Sequence, residues 1–170
     1  LRSARDGAIS SDEMADLEML VDMPAGTPYT MLDHVEYLAD KVVNGARANR
    51  WFQGGSLGNL SAGDDAGHMD DLISKWFLGQ DRPAIKSDHV SAGVSYQRND
   101  GSLFQDGHHY TDVDQNALGD CYFLASLASL SAMRPLYHIP SMFIANGDDT
   151  WTVRFYHGSD AHYVTVDRFL

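Results

Sequence analysis

The sequence predicts an α+β fold, with a helical bundle first and a mixed helix-and-strand unit after it. Three observations lead there. Over the first half, apolar residues recur at the i, i+3, i+4, i+7 spacing of amphipathic helices. Near residue 86 the pattern changes to short alternating runs separated by turn signals such as Asp100-Gly101 and Asn146-Gly147. Between them, residues 121–133 are apolar around much of a helix circumference, which predicts a helix buried between layers. Residues 1–85 are therefore expected to form a helical N-terminal region, and 86–170 a second unit.

Composition narrows the function. The 170 residues allow one domain, or a domain with an appendage, and 44% hydrophobic content allows a core. Net charge is −12, from 12 basic and 24 acidic residues spread along the chain. No basic cluster exists, so neither nucleic acid nor an anionic membrane surface is an expected partner. Acidity is compatible with bound divalent cations, although surplus carboxylates ordinarily form a solvated surface. One cysteine makes no internal disulfide. No run is long and apolar enough to span a bilayer, and none reads as a signal peptide, one already removed staying open. The chain starts at Leu1 rather than Met, so a processed or partial sequence is expected.

Asp6-Gly7 through Glu13 has the form of half an EF-hand loop, with Asp6 and Glu13 as minor calcium candidates. The earlier ligand positions, however, fall on Arg2 and Ala4, which cannot serve. Ser10-x-x-Glu13 reads better as a capping box opening a first helix, with Met14, Leu17, Leu20 and Val21 on one face. Thr27 as N-cap and Pro28 as first helical residue predict a second helix. It carries Met31, Leu32, Val35, Leu38, Val42 and Val43 and ends near Asn44-Gly45 or a turn beyond. Residues 54–59 read as a loop; their glycines lack the lysine and Ser/Thr of a phosphate-binding loop. A third helix starts at about Asp65, with Met69, Leu72, Ile73, Trp76 and Phe77 as its buried stripe, and Gly79 stops it. Trp76 is expected in the core.

Lys86-Ser87-Asp88-His89 is the expected junction. Val94–Gln97 and Ser102–Phe104 flank Arg98-Asn99-Asp100-Gly101, which predicts a hairpin. The loop Phe104–Val113 follows. Its adjacent His108 and His109 would point to opposite sides of extended chain, a poor chelating pair, so both are expected at the surface. Beyond the apolar helix, Trp151–Tyr156 and Tyr163–Asp167 alternate with period two. They predict an antiparallel pair, joined by a turn at Gly158, packing beside that helix.

The chemistry concentrates in Asp114–Leu130. A polar, glycine-containing turn delivers Cys121, the only cysteine, to the first turn of the apolar helix. Unpaired N–H groups and the positive dipole end there favour negative charge, so a cysteine so placed can become a thiolate nucleophile. Gln115, six residues upstream, can fold back beside it. A glutamine amide and the cysteine's own N–H would supply the two donors of an oxyanion hole. The plainer alternative is that Cys121 is a small buried hydrophobe.

This run resembles the active-site segment of the calpain family of papain-like cysteine proteases, Gln-Gly-x-Leu-Gly-Asp-Cys-Trp-Phe-Leu-Ala. Gln115, Ala117, Leu118, Gly119, Asp120, Cys121, Phe123, Leu124 and Ala125 follow the pattern. Asn116 and Tyr122 depart from it, the first tolerating left-handed backbone angles and the second keeping an aromatic body. The resemblance covers about residues 91–170 and implies the first, incomplete lobe of a papain-like core. It implies a polypeptide substrate, with Cys121 and Gln115 in the catalytic site. The family's general base lies well over a hundred residues beyond the cysteine and is oriented by an asparagine, so a second half of the core is the expected partner.

The resemblance also implies a calcium ion held by the carbonyls of Gln105 and Gly107 and the carboxylate of Asp112, with a later acidic residue helping. The local alternative is that Asp112 caps the loop. Two further readings stand beside the protease: a degenerate, non-catalytic regulatory or calcium-binding interaction module, and a helical adaptor in which Cys121 is structural.

Overall fold

The computed structural model describes residues 7–24, 27, 30–85, 88, 92–115, 119–133 and 139–170. Helix α1 (Ser11–Val21) begins at the expected capping box. Ser10 Oγ accepts from the Glu13 N–H at 3.2 Å, and Glu13 Oε2 accepts from the Ser10 N–H at 2.9 Å. Arg2, Ala4 and Asp6 lie outside the described residues. Helix α2 (Asp33–Val43) starts later than predicted, with Leu32 as an N-cap that makes no side-chain bond. Thr30 Oγ1 donates to the Thr27 carbonyl at 3.0 Å and closes a separate turn; Pro28 lies outside the described residues. Asp33 and Glu36 in the first turn complement the positive helix end in place of a cap. The helix ends as expected at Asn44, followed by Gly45 with φ 87°.

Helix α3 (Ala66–Trp76) is capped by Asp65, whose Oδ1 accepts from the His68 N–H at 2.9 Å. The three helices share one core, including Ile9, Met14, Val42, Val43, Met69 and Leu72. Its polar member is Asn49, fully buried: its amide donates to the Lys41 carbonyl at 2.8 Å and accepts from the Trp76 indole at 2.7 Å. Trp76 is partly buried and packs against this core, with its indole N–H satisfied. After α2 a 3-10 turn (Arg47–Arg50) leads into a small hairpin, β1 (Trp51–Phe52) and β2 (Gly55–Ser56), the second strand lying where residues 54–59 were expected as a loop. Gln53 and Gly54 close it with φ of 50° and 81°. That pair of left-handed residues matches strand twist in a two-residue turn.

The second region is built on a three-stranded antiparallel sheet, β3 (Phe143–Ala145), β4 (Trp151–His157) and β5 (Asp160–Val166), in that order. The β4–β5 pair is the one predicted, with Gly158 at φ 64° in its turn. Thr152 and Thr165 face each other across it, buried, with hydroxyls 3.2 Å apart. Strand β3 is an addition to the prediction. The hairpin expected across Arg98–Gly101 does not form. Residues 97–99 pair instead with 168–170, Gln97 and Leu170 exchanging N–H···O bonds of 2.9 and 3.0 Å. Charge explains the preference. Arg168 donates to the carbonyls of Asn99 and Gly101 and, at 3.0 Å, to Asp149, which also accepts from Arg98 at 2.8 Å.

The two regions touch. Tyr37 of α2 lies edge-on to Tyr163 of β5, with its hydroxyl 3.1 Å from His162 Nδ1. Arg82 pairs with Asp167. Gly79, at φ 63°, sits where an added Cβ would come 2.7 Å from the Val166 backbone. Of the expected junction, Lys86, Ser87 and His89 lie outside the described residues.

Helix α4 (Cys121–Ala132) corrects the expectation of burial between layers. Only Ser131 is buried along it, while Tyr122 is 78% and Phe123 42% exposed. No second layer covers its outer face among the described residues. On one face Phe123, Leu127 and Ser131 border a cavity of about 690 Å³ that Phe143, Val153 and Phe155 of the sheet also line. Pro135, expected to end the helix, lies outside the described residues; Met133 is the C-cap. None of the described helices is long and apolar enough to cross a membrane.

Candidate active site

Asp120 opens α4 with a non-helical backbone, φ −113°, and its carbonyl accepts from the N–H groups of Phe123 and Leu124 at 2.9 and 3.1 Å. Its side chain makes no capping bond to the helix. The amides of the first turn are therefore not covered by a carboxylate, the usual occupant of this position. Cys121 is the first residue of the helix and is exposed. The reading of this thiol as a buried hydrophobe does not describe it. Further along, Ser126 and Ser129 donate their hydroxyls to the carbonyls of Tyr122 and Ala125, at 3.0 and 2.8 Å. With these hydroxyls satisfied inside the helix, its outer face is small and apolar.

Gln115 is exposed and is not without a partner. The turn from it to Gly119 runs through Asn116, Ala117 and Leu118, which lie outside the described residues. Gly119 is exposed, and nothing lies within 4 Å of a Cβ placed there. Asp120 is a feature that the sequence reading used only as part of the motif. Its Oδ1 is buried and meets no hydrogen-bond partner, next to the nucleophile candidate. An acidic residue directly before the cysteine was the available signal, but burial of one oxygen is a tertiary fact.

The three calcium candidates, Gln105, Gly107 and Asp112, all border the cavity beneath α4. Asp106 and Gly107 turn the loop with φ of 59° and 92°. Asp112 closes a short 3-10 turn (Tyr110–Asp112): its Oδ2 accepts from the His109 N–H at 2.6 Å, the local cap foreseen as the alternative role. The set offers only oxygen donors, which suits calcium, but falls short of the six to eight that the ion takes. Among the described residues no group of three or more His, Cys, Asp or Glu side chains is placed to hold a metal. His109 is exposed, with Nδ1 2.8 Å from Thr111 Oγ1, whereas His108 is half-buried and borders the cavity.

Electrostatics are most perturbed away from the cysteine. Hydrogen bonds from Arg98, then from Arg168, hold the Asp149 carboxyl below its ordinary range. Arg98 is raised in turn, chiefly by its bond to Asp149. At Asp40 burial pushes the carboxyl up, but hydrogen bonds from Lys41 and Asn44 outweigh it and leave it lowered.

Residues 87–170 match the family described as calpain family cysteine protease. The match spans the motif from Gln115 to Ala125 and bears out, at the level of family, the resemblance carried by those residues. No curated protein and no solved structure matches the chain.

Proposed function

We propose, from a calpain-family cysteine protease segment at residues 87–170, that this chain is the amino-terminal part of a cysteine endopeptidase with Cys121 as its nucleophile. The observation that supports this reading best is the exposed thiol at the first residue of α4, where the N-cap Asp120 makes no side-chain capping bond. Negative charge is favoured at that position. The thiolate attacks a peptide carbonyl, the carbonyl electrons move onto oxygen, and the N–H of Cys121 with the Gln115 amide receives that charge. Collapse expels the amine, which takes a proton from an imidazole, and water then releases the acyl group from sulfur.

The imidazole and the asparagine that orients it are supplied by a second half of a papain-like core, and the chain without that half does not cleave peptides. The exposed apolar face of α4 supports such a partner, because a helix that is hydrophobic all round belongs in a protein interior. Calcium at Gln105, Gly107 and Asp112 makes the enzyme calcium-dependent, the loop supplying part of the ion's oxygen shell and other groups and water the rest.

The test is peptide cleavage by the chain joined to a calpain-type second half. Cleavage is expected only from the joined form, to be lost in Cys121→Ala and slowed about 100-fold or more in Gln115→Ala. Full activity in Cys121→Ala overturns the nucleophile, and a loss below about fivefold in Gln115→Ala removes its oxyanion role. Calcium should raise the melting temperature of the chain, and Asp112→Ala should remove that rise; an unchanged rise rejects the loop as the site.

A further inference from the structure

Two histidines that the proposed reaction does not use share one face of the sheet. In the β4–β5 ladder Phe155 lies opposite His162, and His157 opposite Asp160. Directly opposed side chains share a face, and every second residue of a strand returns to it. His157 and His162 are therefore diagonal neighbours on the same face, within reach of each other's side chains. Both are exposed, and their ring centres are 6.4 Å apart with the planes at 63°.

His162 is also held from the side. The Tyr37 hydroxyl of α2 lies 3.1 Å from its Nδ1, and the two rings meet edge to face with centres 6.0 Å apart. With Nδ1 engaged, Nε2 is the nitrogen left to bind an ion. Metal-bound imidazoles ordinarily give one nitrogen to the ion and the other N–H to an oxygen, which fixes the tautomer and the ring. An ion on Nε2 leaves the proton on Nδ1, so His162 then donates to the Tyr37 oxygen. Tyr37 is itself seated: its ring packs edge-on to Tyr163 and lies beneath the Lys41 ammonium.

We propose that His157 and His162 together bind a divalent late first-row transition-metal ion of the zinc, nickel and copper class, with Tyr37 orienting His162. Imidazole nitrogen suits these ions, whereas calcium and magnesium take oxygen. Two imidazoles on one tetrahedral ion have ring centres about 5 Å apart, given metal–nitrogen bonds of about 2.0–2.1 Å. A small rotation of two exposed side chains closes the difference. Asp160 stands on the same face, but among the described residues no group of three such side chains is placed for a metal, so water completes the coordination. Neither the thiol of Cys121 nor the oxygen donors of the calcium candidates enter this site.

The experiment titrates Zn2+ into the 170-residue chain carrying Cys121→Ala, which removes a competing thiol, and follows the imidazole signals by NMR. Saturable shifts of both the His157 and the His162 rings are expected, and calcium at the same concentration should shift neither. His157→Asn and His162→Asn, both at exposed positions that leave the fold intact, should each weaken Zn2+ binding about tenfold or more. Tyr37→Phe keeps the ring and removes the hydroxyl. It should weaken binding about tenfold and move the His162 Nδ1 resonance, while the Tyr163 ring signals stay in place. Shifts that do not saturate, that reach only one of the two rings, or that His157→Asn leaves unchanged overturn the site. Unchanged affinity in Tyr37→Phe overturns the orienting role of its hydroxyl.

Discussion

The two regions of this molecule use apolar residues in opposite ways. Residues 7–85 build a closed core, with Ile9, Leu38 and Leu72 almost wholly inside and α1, α2 and α3 packed around it, although Met19, Leu20, Leu32 and Trp51 stay exposed. The second region holds the most hydrophobic helix of the chain, yet the buried residue of α4 is a serine, and its aromatic residues reach solvent. Its best-packed part is the β4–β5 pair, where Thr152, Val153, Tyr163 and Thr165 are buried. Helix α4 is therefore shaped for a surface that the described residues do not provide, whereas α1–α3 are complete in themselves. That division suits the proposed reading, in which a helical support carries the exposed segment of Cys121.

The largest effect that tests this contrast is on stability. Leu72→Ala, in the closed core, should cost about 2–5 kcal/mol, the range for a fully buried leucine. Leu127→Ala, on the cavity side of α4, removes contacts that are already incomplete and should cost about 1 kcal/mol. Chemical denaturation of both variants is the measurement. Equal losses would mean that α4 is as well packed as α3, and the contrast would fail.

Much of the helical region was legible because its signals are local. The Ser10–Glu13 box, the Asp65 cap, the stripe from Met69 to Phe77 and the stop at Gly79 lie within a few residues of what they control. The start of α2 was misplaced because Thr27-Pro28 is a good helix opening by sequence, while Thr30 bonding back to Thr27 closes a turn first. In the second region the decisive contacts are distant. Asn99 and Gly101 are held by Arg168, a partner 69 and 67 residues away, so a local hairpin signal lost to a long-range pairing. At the candidate site, the position of Cys121 was readable from the motif and the helix start. The capping of His109 by Asp112 was foreseen as one of two roles. The burial of Ser131 Oγ and of Asp120 Oδ1 without a hydrogen-bond partner was not, because neither sequence spacing nor propensity reports what surrounds a side chain.

A smaller effect concerns how the regions are joined. Gly79 is left-handed, and a Cβ there would come 2.7 Å from the Val166 backbone. Gly79→Ala should therefore cost about 1–3 kcal/mol, from backbone strain and from pushing the end of α3 off β5. Loss of the contact between Tyr37 and Tyr163 in NMR spectra should accompany it. A variant with wild-type stability would show that the two regions do not depend on this close approach.

The smallest expected effect is one of pH, and it separates the regions by their charges. Asp149 ties the segment 97–101 to residue 168 through Arg98 and Arg168, and its carboxyl is lowered from 3.8 mainly by the bond from Arg98. A carboxyl lowered on folding stabilises the folded state above its ordinary value. That contribution falls away as pH drops below about 4 toward the folded value. The groups are exposed, so salt should screen the contribution. In low salt, Asp149→Asn should lower the melting temperature at pH 7 and make little difference at pH 2.5, with the pairing of Gln97 to Leu170 loosening first in hydrogen exchange. The core amides of α3 should keep their protection throughout, since the ion pairs of Asp149 go to Arg98 and Arg168, outside the helical region. If acid instead releases both regions together, the sheet and the helices form a single cooperative unit, and the division between support and reactive segment is one of chemistry rather than of stability.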